Sequence, residues 1–381
     1  MKSEICEEEW LLVKSLLPEE LDASARRSGA LCRARGVGDG ETLLRLLLLH
    51  VAGGLSLAQA ALRARNLGLA DISHVALFKR LRGAQPWLEE LCAAMIAGNR
   101  SAQRAHWPLT GRKFRVLDAS DIREPGATGS SWKLHYSITL PDLRCDFAQF
   151  TDCKGAESLQ RLPVNPGDIV LADRAYGKRK QIAWLLEQGA DAVVRLHPPS
   201  FPIGREANEE EDSSDLLPED WLEKLRTLAP LTPGEWTVRF EHKGHRHTVR
   251  ACALRKSATA TAQAQHKIEI EARKKHRNLR PETLEMASYV VVLCTLGPDE
   301  LDTAGVLELY RCRWQVELAF KRLKSLLEMS AVPKSDPQGA RAWMQAKLLE
   351  ALLVERLLEE SSALSPWGYR LPATLPVATL H

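Results

Sequence analysis

The chain lacks several features that would decide its class at once. None of its eight cysteines (Cys6, Cys32, Cys92, Cys145, Cys153, Cys252, Cys294 and Cys312) belongs to a CxxC pair. That gives no basis for a zinc site or a disulfide framework, and it makes a reducing cytoplasm the simplest home. The opening MKSEICEEEW is acidic and polar, without the apolar region of a signal peptide. No apolar run reaches the roughly 18 residues that a membrane span needs, so no membrane partner is expected. Net charge is almost missing: 52 Lys and Arg against 49 Asp and Glu leave +3. So even a balance neither requires nor excludes nucleic acid, and local distribution has to decide. What is present, 45% apolar and 27% charged residues over 381 positions, is an ordinary globular composition with material for two or three domains.

Residues 1–108 read as helical throughout. "ETLLRLLLLHVA" is a strong apolar segment, and "LSLAQAALRARNLG" and "LADISHVALFKRLRG" follow, broken at glycines. Ser73 stands where an N-cap is expected. A packing or dimerisation bundle and a DNA-binding helix-turn-helix fit this pattern equally well. From residue 109 the grammar changes. "KFRVLDAS" (113–120), "SWKLHYSITL" (131–140) and "RCDFAQFTD" (144–152) read as strands, the last two antiparallel. "GDIVLADRAYG" (167–177) is a fourth strand, "KRKQIAWLLEQG" (178–189) a helix and "ADAVVRL" (190–196) a fifth strand. Three strands followed by strand, helix and strand predict an α/β fold with a mixed sheet.

Residues 197–286 interrupt that pattern. They hold a very acidic stretch (205–215), a hairpin (235–254) turning at Lys243 and Gly244, and a charged, partly helical segment. "ASYVVVLCTL" (287–296) returns to the sheet. The second part of the core then runs to about residue 340, and 341–381 supply a C-terminal helix and tail.

Asp118 and Asp173 end the first and fourth predicted strands. Acids there can converge in the crevice outside an α/β sheet, although each alone also fits a turn or helix cap. A third acid lies in "LYRCRWQVELAFKRLKSLLEM" (309–329). At about 100° per residue, Tyr310, Arg313, Glu317 and Lys324 share an arc of roughly 60° on one helix. Leu309, Val316, Phe320, Leu323 and Leu327 form a separate apolar stripe. Arg313 and Glu317 fit a plain i,i+4 pair. The same four residues also fit one acid set among groups that grip phosphate. Three carboxylates around one point suit magnesium, which takes hard oxygen ligands and leaves positions for substrate. Two such ions serve phosphodiester displacement.

Tyr310, Arg313, Glu317 and Lys324 at these offsets, with "VLDAS" around Asp118 and "LADRAYG" around Asp173, resemble the Y-R-E-K signature and catalytic core of IS4-family transposases. The resemblance spans roughly residues 109–330. It implies an RNase H-like core with a largely β insertion before the glutamate helix. It also implies a DDE triad of Asp118, Asp173 and Glu317 that binds Mg²⁺, with Mn²⁺ as a substitute, as two ions. The acids lie 55 and 144 residues apart (173 − 118 and 317 − 173), and the long second gap accommodates the insertion. By the same resemblance, Arg313 and Lys324 contact phosphates near the transposon end and Tyr310 helps to hold that backbone. Tyr289 takes the place of a tryptophan that stacks on a flipped base, although a core residue at a strand start is an equal reading of it. Asp118-Ala119-Ser120 departs mildly from the Asp-Gly-Thr frequent in relatives and keeps the ligand.

The implied activity is metal-dependent cutting at transposon ends and 3′-hydroxyl strand transfer into target DNA. The implied partners are terminal inverted repeats and target duplex, with two protomers in a synaptic complex at the bacterial nucleoid. Further DNA contacts are expected from Lys178, Arg179 and Lys180, from Lys243, Arg246 and Arg250 of the hairpin, and from "RKKHRNLR" (273–280). Such contacts make binding salt-dependent. His245 and His247 share a strand face, which reads as a surface hairpin more readily than as a metal site. Two other readings stay open: an RNase H-like nuclease without strand transfer, and a transposase-derived DNA-binding protein.

Overall fold

A computed structural model of the chain describes residues 7–32, 36–99, 109, 111–129, 131–205, 217–333 and 336–364. Its centre is a ten-stranded sheet in the order β3-β2-β1-β4-β5-β10-β9-β8-β6-β7. β1 (Lys113–Ile122), β2 (Trp132–Leu140) and β3 (Cys145–Asp152) run antiparallel to one another. β4 (Asp168–Ala172) lies parallel to β1, and β5 (Asp191–Arg195) parallel to β4. Three antiparallel strands followed by two parallel ones is the RNase H-like arrangement. Every residue of β4 is buried, as expected of a parallel strand covered on both faces.

Alternation along the strands assigns each face to its own core. Phe114 and Val116 of β1, with Ile169 and Leu171 of β4, pack into a cluster shared with helices on one side. Leu117, Val170 and Ala172 pack on the other side, with Ile182 and Leu185 of α7 (Arg179–Glu187). The first cluster also takes in the N-terminal helices: α1 (Glu7–Ser15), α2 (Leu21–Arg27), α3 (Gly40–Val51), α4 (Leu57–Asn66), α5 (His74–Gly83) and α6 (Gln85–Gly98). The expected cap at Ser73 is present, its side chain accepting from Ala76 N, and Ser56 opens α4 with a capping box to Gln59. A long helix, Pro337–Leu364, packs against α6, α5 and α3 and fastens the N-terminal helices to the sheet. Its Glu355 accepts from Tyr136 Oη at 3.0 Å and from Cys145 N at 3.1 Å.

The inserted segment extends the same sheet. β6 (Ile203–Arg205), β7 (Leu217–Glu219), β8 (Pro233–His242) and β9 (His245–Arg255) continue its far edge. β10 (Tyr289–Cys294) bridges β9 to β5, antiparallel to both. Lys243 and Gly244 turn the β8–β9 hairpin, both at positive φ (52° and 77°), as a two-residue primed turn requires. The insertion carries more helix than its strand pattern indicates: α8 (Trp221–Arg226), α9 (Ala258–Lys274) and α10 (Pro281–Met286). Most of the acidic stretch, 206–216, and the tail, 365–381, lie outside the described residues.

One expectation is corrected. Residues 309–329 are not a single helix. α11 (Thr303–Arg311) ends, and α12 (Trp314–Lys321) begins after a tightened turn. There Arg313 N bonds Tyr310 O and Val316 N bonds Arg313 O, both i to i+3. α12 then runs into a π-helical turn at Arg322–Leu326. Tyr310 and Lys324 therefore sit on different segments from Glu317. A wheel of constant 100° pitch does not describe them. The C-terminal helix, numbered α13 hereafter, starts at Pro337.

Candidate active site

The strand pairing sets the first half of the site. Leu117 pairs with Ala172 in the parallel register of β1 and β4, so the next residues, Asp118 and Asp173, stand side by side where β4 ends. Val116 and Leu171, two residues before each acid, face the helical layer. Alternation puts both acids on that face as well. The turn after β4 holds Asp173: its carboxylate accepts from Ala175 N at 2.8 Å, and its carbonyl accepts from Tyr176 N at 3.2 Å. The Asp118 carboxylate accepts from its neighbour's N–H, Ala119 N, at 2.8 Å. Burial above all, and then the nearby charges of Asp173 and Glu157, raise Asp118 to about 6, against the pull of Ala119 N–H and Arg313.

The second half arrives on α12, which packs over β1 with Val316, Ala319 and Phe320 buried. Phe320 lies against Tyr136, ring centroids 5.9 Å apart, and Tyr136 is the antiparallel partner of Asp118. Arg313, at the start of α12, reaches both halves. Its Nη2 lies 2.5 Å from Glu317 Oε1 and its Nη1 3.7 Å from Asp118 Oδ2. Its guanidinium stands 5.9 Å from the Tyr310 ring centroid. Burial works against the charge on Arg313, but the bond to Glu317 and the proximity of Tyr310 and Asp118 outweigh it and hold the group above its ordinary range.

Arg313 and Glu317 thus form the i,i+4 ion pair, while Tyr310 and Lys324 of the expected cluster lie on the flanking segments. Glu317 keeps 58% of its side chain exposed. Among the described residues, no three His, Cys, Asp or Glu side chains stand close enough to hold a metal ion; Arg313 stands between Asp118 and Glu317. The donor set still fits a hard divalent cation: two carboxylates side by side and half-buried repel each other, and such an ion relieves that repulsion.

The other expected residues are dispersed. Lys324 is half-buried on the π-helical turn. Lys178, Arg179 and Lys180 are all exposed at the start of α7, directly after the Asp173 turn. Cations at a helix N-terminus oppose the macrodipole at about 0.3–1 kcal/mol each. Lys243 and Arg246 are exposed on the hairpin, but Arg250 is not. Arg250 is 7% exposed, pairs with Glu235 at 2.6 Å and donates to the carbonyls of Leu296 and Leu301. It lies where β9 has become an interior strand between β8 and β10, so it serves the fold and not the surface. His247 stacks on Phe240, centroids 5.0 Å apart.

Tyr289 opens β10, 5% exposed, and lines a cavity of about 640 Å³ between the sheet and α9–α10. The cavity wall has six cations, Arg174, Arg195, Lys256, Lys267, Lys275 and Arg277, against one acid, Glu271. Burial first, then Arg195 and Lys267, lowers Lys256. Burial and Arg174 likewise lower His197. Arg174 adjoins Asp173 in the chain, and Arg195 bears on Tyr310, so cavity and carboxylates are neighbours.

Sequence reasoning had not singled out Arg174, Arg195 or Glu157. They come from turns and strand ends, where no periodicity marks them. Trp314, 50% exposed beside Arg313, lies at the margin of the same surface.

Asp118 lies inside β1 (Lys113–Ile122) and does not end it as expected, while Asp173 follows directly on β4. A mixed sheet of RNase H-like order with two acids so paired on adjacent parallel strands defines a class of phosphodiester-processing proteins. The Transposase DDE domain matches residues 110–353, and the chain belongs to the IS4-family DDE transposases. It is 35% identical over 357 residues to the putative transposase InsL for insertion sequence element IS186A of Escherichia coli strain K12, covering 92% of this chain and 93% of that one. It is 35% identical over 358 residues, with the same coverage, to the transposase for insertion sequence element IS421 of Escherichia coli. Among solved structures, the piggyBac transposase synaptic complex with hairpin DNA is similar at a TM-score of 0.48 and 9% identity, over 93% of this chain and 75% of that one. Among the described residues no helix is long and apolar enough to cross a membrane.

Proposed function

We propose that this chain cuts DNA at the two ends of a mobile element and joins the freed 3′ hydroxyls to target DNA. The observation that carries the reading is the β1–β4 register, which sets Asp118 beside Asp173 under the helix that bears Glu317. Asp118, Asp173 and Glu317 would hold Mg²⁺, or Mn²⁺ in its place. A divalent ion bound there supplies Lewis acidity at the phosphoryl group and neutralises charge on the departing oxygen.

The chain's own residues do the rest. Arg313 presents a planar fork to phosphate, while Lys324 acts as a point charge. A phosphate that takes up the Arg313 fork frees Asp118 and Glu317 from it, so DNA binding and assembly of the carboxylates favour each other. Tyr310 backs the guanidinium. Lys178, Arg179 and Lys180 extend the cationic surface from the Asp173 turn, and Lys243 and Arg246 add to it on the hairpin. Arg250, spent inside the sheet, is left out. Tyr289 and the cationic cavity suit a base turned out of the duplex, with aromatic stacking and phosphate contacts together. Work at both ends of an element calls for two protomers on paired DNA ends. The exposed edge of α4 and α5 is a DNA-binding candidate of its own.

A cleavage assay on an intact element end, paired with a joining assay on a pre-cut end, tests the reading. The parent chain should nick, then join; Glu317→Ala should bind DNA but do neither. Cutting without joining would instead make the protein a nuclease. Binding without cutting by the parent would make it a DNA-binding derivative. Cleavage that survives Glu317→Ala would refute the assignment of the third acid.

A further inference from the structure

Glu355 is a carboxylate outside the proposed reaction, yet both its oxygens are taken by the catalytic sheet. It lies on α13, where Oε1 accepts from Tyr136 Oη at 3.0 Å and Oε2 from Cys145 N at 3.1 Å. Tyr136 is 1% exposed and belongs to β2, between β1 and β3. Leu134, Tyr136 and Ile138 share the cluster that holds Val116 and Leu171, so the Tyr136 ring lies on the sheet face of the two acids. It is the direct cross-strand partner of Asp118, and such partners have Cβ atoms about 5 Å apart. Phe320 of α12 meets the ring, with centroids 5.9 Å apart and planes inclined at 52°. A tilted aromatic pair holds a preferred geometry that an aliphatic contact lacks. Phe320 stands three residues after Glu317, a neighbour on the same side of the helix. α12 has only eight residues, and it is flanked by a tightened turn and a π-helical turn. Its buried contacts, more than its chain neighbours, therefore set its rotation.

The geometry points to Tyr136 as a positioning residue for the helix-borne acid: held by Glu355, its ring seats Phe320 and so sets the height and rotation at which α12 brings Glu317 over Asp118. This rests on the carboxylate site proposed above. Tyr136 touches no substrate and exchanges no proton. Its effect is on aim, and an error of about 1 Å in a reacting group costs up to about a hundredfold in rate.

Two full-length variants separate the seat from the tie. Tyr136→Leu removes the ring, whereas Tyr136→Phe keeps it and removes only the bond to Glu355. Nicking of a duplex that carries the element's own end gives kcat and KM, and the melting temperature is measured beside them. Both changes lower melting. Met344→Ala, a fully buried change on α13 in the same core cluster, therefore supplies a chain destabilised elsewhere, and all rates are taken below every melting transition. Tyr136→Leu should lower kcat by about tenfold to a hundredfold and Tyr136→Phe by severalfold, each with KM unchanged. Met344→Ala should keep the parental kcat. A Tyr136→Leu chain that loses no more kcat than Met344→Ala overturns the role, and so does a loss confined to KM. Tyr136→Phe at the parental rate overturns the part given to Glu355. Glu317→Ala is run alongside. If it nicks normally, the third acid itself is wrong; if it fails while Tyr136→Leu nicks like the parent, only the Tyr136 role falls.

Discussion

Asp118 and Asp173 stand on neighbouring strands of a sheet covered on both faces, whereas Arg313 and Glu317 ride on a helix interrupted before and after them. The strand half is anchored from below. Arg115, three residues before Asp118, is 2% exposed and joins Asp146 of β3 at 2.6 Å to Asp168 of β4 at 3.1 Å. Its contact with Asp146 is an ion pair and not an aligned hydrogen bond. The helix half has no such anchor: Glu317 is exposed, and its partner is Arg313. One half fixes two like charges at close quarters and the other brings the charge that offsets them. A site so divided can keep its acids in place while the groups that answer to substrate move.

The largest expected effect lies in the fixed half. Asp118→Asn or Asp173→Asn should slow nicking on the order of a thousandfold, the scale on which lost charge stabilisation acts. Neither should lower the melting temperature, because each removes a like-charge repulsion. Equal loss of activity and stability would mean that the pair serves the fold. Next comes the anchor. Arg115→Ala takes the guanidinium from two buried carboxylates, leaving Asp146 with Lys113 and Asp168 with the Asn165 N–H, and should destabilise the chain by about 3 kcal/mol, read by denaturant unfolding. An unchanged midpoint would remove the anchor from the comparison.

The strand half also has a pH signature. His135, paired with Ala119 beside Asp118, is pressed down to about 4, by burial first and then by Arg161 and Lys133. Its unfolded value is about 6.5. The unfolded chain therefore binds the extra proton between these values, and stability is full above about 6.5 and falls as pH drops toward 4. The loss is at most ~3 kcal/mol, and His135→Gln should flatten it in melts taken across that window. The smallest effect belongs to the helix half. Arg313→Lys keeps the charge but loses the fork, and should weaken binding to duplex DNA by about tenfold with little change in melting. A variant that melts lower but binds normally would make Arg313 a helix stabiliser only.

The fixed half was legible in the sequence because its causes are local. The run "DIVLA" announces two-sided burial, and Asp173 follows it directly; that β1 runs on past Asp118 to Ile122 was not legible. The helix half was legible as a signature but not as a shape. Nothing between Tyr310 and Lys324 is Gly or Pro, so no residue type announces the break at Arg313 or the π-helical turn. Arg250 misled for a related reason. Alternation within a hairpin tells one face from the other, but not that β9 would be enclosed between β8 and β10. Arg174 was hidden in a turn, where contacts depend on the register of strands far apart in the chain.

The most direct test of the account is a metal-preference switch at each acid. Asp118→Cys, Asp173→Cys and Glu317→Cys replace hard oxygen by softer sulfur. Nicking of the element's own end is then compared in Mg²⁺ and in Mn²⁺. If all three acids face one ion, each variant should be inactive in Mg²⁺ and recover in part in Mn²⁺, the strand-borne pair and the helix-borne acid alike. A Glu317→Cys chain as active as the parent in Mg²⁺ would contradict the account and leave the site to the two strands alone.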